Sequence, residues 1–469
     1  MSDDVEAKVP QRGRGCLTWF LILIFGLPLA IIAIAVLLFG WRDMAAQRQL
    51  EERVAKLQSQ GLPVDYDSAA VYHAELTSEE SVGEWLEVLA LVDGEELIAD
   101  SKGIPIIGIG PEPPYPKHGE PWSEEAAVRE FLDKYDSLHN RIMRLSLKSQ
   151  PVRFPIEWEG VGTLLPDTQR MRAAARLLNL RGQLALYDRD PAAVRRSVDA
   201  LVGCAVVLEG EPSLVSQFVS IAIGQTAMSV LKDGVQQDVF RPDDLRYLIE
   251  RLSPLTNLRE HWRVGLNGER AMMLPIYREP SSLESYGPGE GFATRLPFRG
   301  RDANAYLDII EQALDADTTS LDAFSRDVQA IEEKVETDLT SDSILQQLDH
   351  ALTAMLTPAL GQAGRALVGK ATDHRIAVIA MAIRLYENEQ GAFPNSLSEL
   401  ESVGVSASDF MPPGGQPFGY DLVDGKAYLW GFNHQLGESS VPTTRPVVTD
   451  GEAHAEAKRL AIWELTPHQ

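Results

Sequence analysis

Glu157 and Glu159 flank Trp158 in an apolar stretch bounded by prolines. Two carboxyls beside an aromatic ring are the equipment of glycoside hydrolysis, in which one acts as acid and the other as base or nucleophile. On a strand both would point to the same face, and nothing in the spacing supplies the separation the reaction needs. These are the only candidate catalytic residues, and two solvated carboxylates are the plainer reading. Gly364-Arg-Ala-Leu-Val-Gly369-Lys370 has the spacing of a phosphate-binding loop. Ala371 stands where a magnesium-ligating Ser or Thr belongs, no strand precedes it, and its flanks read as helix. Asp349-His350 and Asp373-His374 pair a carboxylate with an imidazole, which could orient a metal ligand or a base. They lie far apart with no second ligand at helical spacing, so surface or capping histidines fit as well. Asp315 and Asp317 form only a fragment of a calcium loop and read as a cap or a solvated turn. Cys204 falls on an apolar helical face, as a core residue rather than a nucleophile. No cofactor and no metal is expected.

The elements that would have to position these residues begin with an anchor. From Gly15 to Trp41 no residue is charged. As a helix, the core of that run reaches about 38 Å, enough to span a hydrocarbon layer of roughly 30 Å with some tilt. Trp19 and Trp41 stand near its ends, where aromatic belts form. A cleaved signal peptide would be shorter and end in a small-residue site; Ala33-Ile34-Ala35 has the letters but lies inside the run. Lys8, Arg12 and Arg14 precede it, and Arg42, Arg48, Arg53 and Lys56 follow, so the positive-inside rule is nearly tied. A short basic tail ahead of a single anchor points to an exported body.

The formal net charge is −25. Three acids and three bases cancel within the first 14 residues, so the whole excess falls on the body beyond the anchor. Such a body should be soluble and should repel nucleic acid and anionic lipid. With 44% hydrophobic residues it has enough apolar side chain for a core.

The expected organisation is a cytoplasmic tail (1–14), a transmembrane helix (15–41) and a juxtamembrane helix with a mixed region (42–122). A helical-hairpin domain follows (123–280), then a loop (281–301) and a further helical region (302–371). In 42–60, Met44, Leu50, Val54 and Leu57 mark a sparse apolar face, stopped by Gly61-Leu62-Pro63. The clearest pattern lies in 167–253. Ala173, Leu177, Leu180, Leu184 and Tyr187 recur at helical steps, and Asp190-Pro191 supplies an N-cap and a first-turn proline. Val194, Val198, Leu201, Ala205 and Leu208 make the next stripe. Ser213 then caps a third helix with Val215, Val219, Ala222 and Thr226 on one face. Short turns between such helices imply antiparallel stacked pairs. Toward the end, Ile376, Ile379, Ile383 and Tyr386 form a stripe with Gly391 as C-cap. Two short apolar runs flank Asp424-Gly425, the signal of a tight hairpin. A polar tail (434–469) ends with a candidate strand over 460–465.

Leu385-Tyr-Glu-Asn-Glu-Gln-Gly391, Ala392-Phe-Pro394, Leu397-Ser-Glu-Leu400 and Pro413-Gly-Gly-Gln-Pro-Phe-Gly-Tyr420 carry a resemblance. Residues 372–433 look like the C-terminal half of the major pseudopilins of type II secretion. The pseudopilin processing site and the glutamate five residues into the apolar helix have no counterpart after Gly15. Gly431-Phe-Asn-His-Gln-Leu-Gly-Glu438 lacks the acidic run of that family's calcium loop. The layout as a whole is similar to a large group of bacterial single-pass membrane proteins with a helical middle and a pseudopilin-like tail. That resemblance implies a fold and carries no activity.

The expected fold is mainly α: an N-terminal transmembrane helix, antiparallel stacked helix pairs and a small C-terminal α+β unit. The expected function is a non-enzymatic scaffold or interaction protein of the bacterial envelope, linked to secretion or pseudopilus machinery. It would sit in the inner membrane with a periplasmic body, touching lipid through one helix and binding proteins, itself included, but no nucleic acid. A hydrolase of envelope polymers is the alternative.

Overall fold

The computed structural model describes residues 27–74, 79–108, 115–253, 258–278, 299–339, 350–431 and 462–467. Among them the chain is mainly helical, with a small antiparallel sheet of three strands.

Helix α1 (Leu27–Ser59) is unbroken over 33 residues. Its first part is the end of the uncharged run; residues 15–26 of that run, like the tail 1–14, lie outside the described residues. Its second part buries Ala46, Leu50, Val54 and Leu57 at steps of four and three. Met44, expected on that face, lies 57% exposed on the other side. Gly61, at φ 71°, ends the helix in the left-handed conformation that suits glycine.

Five shorter helices follow: α2 (Tyr66–Ala74), α3 (Glu79–Val92), α4 (Glu95–Asp100), α5 (Glu125–Lys134) and α6 (Asp136–Ser146). The expected hairpins come next as α7 (Pro166–Tyr187), α8 (Pro191–Leu208) and α9 (Leu214–Gln236). Asp190 caps α8 by accepting the Ala193 amide at 3.0 Å. Ser213 sits at the N-cap position of α9, but its side chain makes no cap hydrogen bond. The expected face of α9 is only partly buried: Val219 is at 7%, but Val215 is 51% exposed, and Leu214, Ile221, Ile223 and Val230 off that face are buried as well. The cause is crowding, because α7, α8, α11 (Leu258–Arg278) and α15 (Pro358–Gln390) all pack on α9. Its length and apolarity would also suit a membrane, but 67% of that stretch is buried inside the protein.

The rest comprises α10 (Pro242–Leu252), α12 (Arg299–Leu314), α13 (Leu321–Leu339) and α14 (Ala351–Leu356). The loop read over 281–301 falls largely outside the described residues, and α12 already starts at Arg299. The division expected at 371/372 falls inside α15, a single helix of 33 residues.

Two apolar cores result. One gathers α3 to α10 with Ile376, Ile379 and Ile383 of α15. The other gathers α1 and α11 to α14 with Leu360, Leu367 and Ala371 of α15. Helix α15 therefore passes from one core to the other near residue 372, and α9 lends Leu214 and Ile221 to the second core.

At the C-terminal end of α15, Gly391 adopts φ 77° and closes the helix. Strands β1 (Gly419–Val423) and β2 (Lys426–Trp430) pair around Asp424 and Gly425, both at positive φ, as a two-residue hairpin requires. The candidate last strand exists as β3 (Trp463–Leu465), antiparallel to β2. Arg384, 1% exposed, donates to the carbonyls of Thr466 at 2.8 Å and Val235 at 3.1 Å. It thereby ties α15 to the sheet and to α9.

Candidate functional site

Glu209 to Ser213 form the elbow between α8 and α9, and a cluster of buried ionisable groups surrounds it. Gln217, in the first turn of α9, donates to the carbonyls of Leu208 at 3.4 Å, Glu209 at 3.1 Å and Glu211 at 2.9 Å. This amide satisfies carbonyls that the C-terminal end of α8 and the elbow beyond it leave open. Helix α11 lies flush against the elbow because Gly268 has no side chain. A Cβ there would stand 1.6 Å from the Pro212 carbonyl oxygen.

Glu209 accepts from Lys370 of α15 and His261 of α11, each at 2.7 Å. All three are less than 10% exposed. Burial alone would push the Glu209 carboxyl up; Lys370 and His261 together outweigh it and hold it down at about 2. Next to it, Glu211 is fully buried, accepts the Phe154 amide and faces His73 at 3.8 Å. His374 lies one turn beyond Lys370, 4% exposed, with neither ring nitrogen hydrogen-bonded. Burial, reinforced by Lys370, pushes it down to about 3, so it is neutral.

Lys370 belongs to the stretch of α15 where the helix leaves one core and enters the other. The Glu209 cluster therefore sits on the seam between the cores and links the α8–α9 elbow, α11 and α15. Sealed from water, it acts electrostatically: it positions helices and presents no open face to a substrate.

Of the residues singled out by sequence, Lys370 and His374 fall in or beside this cluster, and the others stand elsewhere. Glu157 and Glu159 are both exposed on an irregular stretch ahead of a short 3-10 turn at Gly160–Gly162. Between them Trp158 turns inward, edge-on to His73 at 6.1 Å between ring centres. The carboxyls face solvent rather than each other across a cleft. Gly364 to Lys370 lie inside α15, where amides point along the helix instead of cradling a phosphate, and Lys370 is taken by Glu209. His350 stands at the N-cap of α14 without a cap bond. Asp302 of α12 performs that task, accepting the Leu352 and Thr353 amides at 2.8 and 3.0 Å. Asp349 lies outside the described residues. Asp373 does not orient His374; burial raises its carboxyl to about 7, against Lys232. Asp317 accepts the Thr319 amide in a local turn. Cys204 is fully buried, which pushes its thiol up to about 12 and leaves it inert. Among the described residues no group of three or more His, Cys, Asp or Glu is placed to hold a metal ion.

Glu209, His261 and Gln217 escaped the sequence reading, and Lys370 entered it only through the spacing of a phosphate-binding loop. A faint signal existed in Gly265-x-x-Gly268, a small-residue pair that lets a helix approach closely. A second was the lone Lys370 among the apolar Leu367, Val368 and Ala371.

A separate surface cavity of about 440 Å³ opens at the C-terminal end of α9. There Lys117, His118 and Arg189 oppose Asp233 and Glu464. Arg189 already donates to the Gln237 and Asp238 carbonyls, and Lys426 already holds Glu464. No protein family, curated protein or solved structure matches the chain.

Proposed function

We propose that this protein is a membrane-anchored, non-enzymatic scaffold of the bacterial envelope, with one N-terminal transmembrane helix and a periplasmic helical body that binds other proteins. One observation supports it above the rest: α1 runs without a break from the uncharged apolar segment into the second core. A spanning helix continued in this way would hold the body at a fixed attitude to the membrane instead of on a loose tether, as suits a platform for partners. Arg53 reinforces the join, pairing with Asp308 at 2.8 Å and Glu311 at 2.9 Å on α12.

The pseudopilin-like character of residues 372–433 supports a partner within secretion or pseudopilus machinery. The test is crosslinking in intact cells with mass spectrometry of what is co-purified from the solubilised membrane. Recovery of secretion components with the full chain, and their loss when residues 372–469 are deleted, is the expected result. Recovery of no protein but itself, or no pelleting of the full chain with membranes, would overturn the proposal.

A further inference from the structure

Helices α7 and α9 end side by side. Arg189, just past α7, donates to the Gln237 and Asp238 carbonyls just past α9. The cavity of about 440 Å³ opens at this place, with β3 on its border. His118 donates to the Tyr187 carbonyl at 2.7 Å, and Glu464 of β3 accepts from Lys426 at 2.6 Å. These three lining groups therefore have structural duties: two fasten helix ends, where cations are favoured, and the third braces the sheet.

Two further charges line the cavity from different elements. Lys117, in the segment ahead of α5, is exposed; Asp233, in the last turn of α9, is half-buried. They are near enough for Lys117 to draw the Asp233 carboxyl down, yet they do not meet as an ion pair. Asp233 is kept there against two costs. Burial raises its carboxyl above the usual range, and Lys232, Lys117 and the Gln183 amide offset this only in part. It also stands at the negative end of the α9 dipole, where a carboxylate is unfavourable. A carboxylate held at such a place in a cavity suits the cationic group of a ligand. Gln236 and Gln237 add two carboxamides to the lining, and a carboxamide matches both the N–H and the C=O of a peptide unit.

We propose that this cavity binds a dipeptide or tripeptide with free termini, its ammonium on Asp233 and its carboxylate on Lys117. Opposite charges on separate elements select a molecule charged at its two ends. In a free α-amino acid both charges share one carbon, whereas in a dipeptide they lie one peptide unit, about 3.8 Å, further apart. That spacing suits two groups that do not themselves meet, and the volume is in the range of small-ligand sites. Gln236 and Gln237 serve the peptide unit between the termini. The bound peptide would join the segment ahead of α5 to the end of α9. The site lies at the opposite end of α9 from the Glu209 cluster, and it does not depend on the anchored reading.

The test is isothermal titration calorimetry of the full chain in detergent at low salt. The probes are alanylalanine, trialanine, alanine, N-acetyl-alanylalanine and alanylalanine amide. At least one of the two uncapped peptides is expected to bind in the micromolar to millimolar range, and alanine more weakly. Each cap removes one charge-assisted contact and is expected to weaken binding by about tenfold or more. Lys117→Gln, which alters an exposed side chain, should lose a similar factor and no longer distinguish alanylalanine from its amide. Asp233→Asn should in turn no longer distinguish alanylalanine from its acetyl derivative. Glu157→Gln, far from the cavity, is the unchanged control. No heat from either uncapped peptide at about 10 mM, caps without effect, or alanine bound as tightly as the peptides would overturn the proposal. So would a Lys117→Gln protein that still separates alanylalanine from its amide.

Discussion

Glu209 and Glu157 are both glutamates near the middle of the chain, and the fold uses them in opposite ways. Glu209 is taken out of water at the seam of two cores and is held charged by Lys370 and His261. Glu157 stands in solvent beside a tryptophan that turns inward. A carboxylate pair beside an aromatic drew attention in the sequence because of its chemistry. The carboxylate that matters most to the structure carried no such mark. Burial, set by tertiary packing, decides the weight of a charge, and a buried charge missing its partner costs far more than an exposed one.

The contrast predicts a graded series of effects on stability, read as unfolding midpoints in urea. Glu209→Gln leaves Lys370 buried without its carboxylate and should cost about 3–5 kcal/mol. Glu209→Gln combined with Lys370→Met should recover much of that loss, since no unpaired charge remains. A double variant no more stable than Glu209→Gln alone would break the comparison.

Gly268→Ala should follow. Its Cβ meets the Pro212 backbone oxygen rather than a side chain that can turn aside, and overpacking of that kind costs about 1–3 kcal/mol or more. Gly265→Ala, which meets only Leu214 and Gln217 side-chain atoms at 3.2 and 3.3 Å, should cost less.

Acid should sharpen the picture further. Burial pushes His374 down to about 3 and His139 down to about 4. The unfolded chain therefore binds these two protons first, so the stability tied to them is complete above about pH 6.5 and drains away below it. Glu269 and Asp373 are each raised to about 7 by burial and act in the opposite sense. Their contribution is full below the usual carboxylate range, near pH 4, and fades as pH rises toward 7. The opposing slopes should partly offset each other between those limits and leave a steeper loss below about pH 4.3. There the depressed Glu209 adds its own loss as pH falls toward 2. His139→Gln should flatten the acid limb, and an unchanged limb would count against a neutral buried imidazole.

At the small end, Glu157→Gln and Glu159→Gln should leave the midpoint unmoved within error, as exposed carboxylates away from any partner do.

Local rules made part of this fold legible. Asp190-Pro191 and Gly391 mark helix ends through cap chemistry that acts within a few residues, and Asp424-Gly425 specifies its turn in the same way. The stripes of α7 and α8 lie inside, at Leu177, Leu180, Leu184, Val194, Val198, Leu201, Ala205 and Leu208, although both helices are buried well beyond those stripes. Helix α9 was readable only in part: Val219 is buried, but Val215 ended outside. The Glu209 cluster was out of reach for a different reason. It joins residues 209, 261 and 370, and no local rule predicts that α15 would carry Lys370 to the α8–α9 elbow. The packing of α1 on α12, through Asn304 and Arg53, is equally a product of long-range assembly.

The most direct test of the anchored, rigidly joined body is a cysteine scan along α1 of the full chain in native membranes, with Cys16 changed to Ser. Cys204, buried with its thiol raised to about 12, stays silent in such a scan. Single cysteines at Ile31, Ile34 and Leu38 should resist a membrane-impermeant maleimide, while cysteines at Arg42 and Arg48 should label from the periplasmic side of intact spheroplasts. Rapid labelling at Ile31 and Ile34 would contradict the claim that this helix begins in lipid and ends in the body.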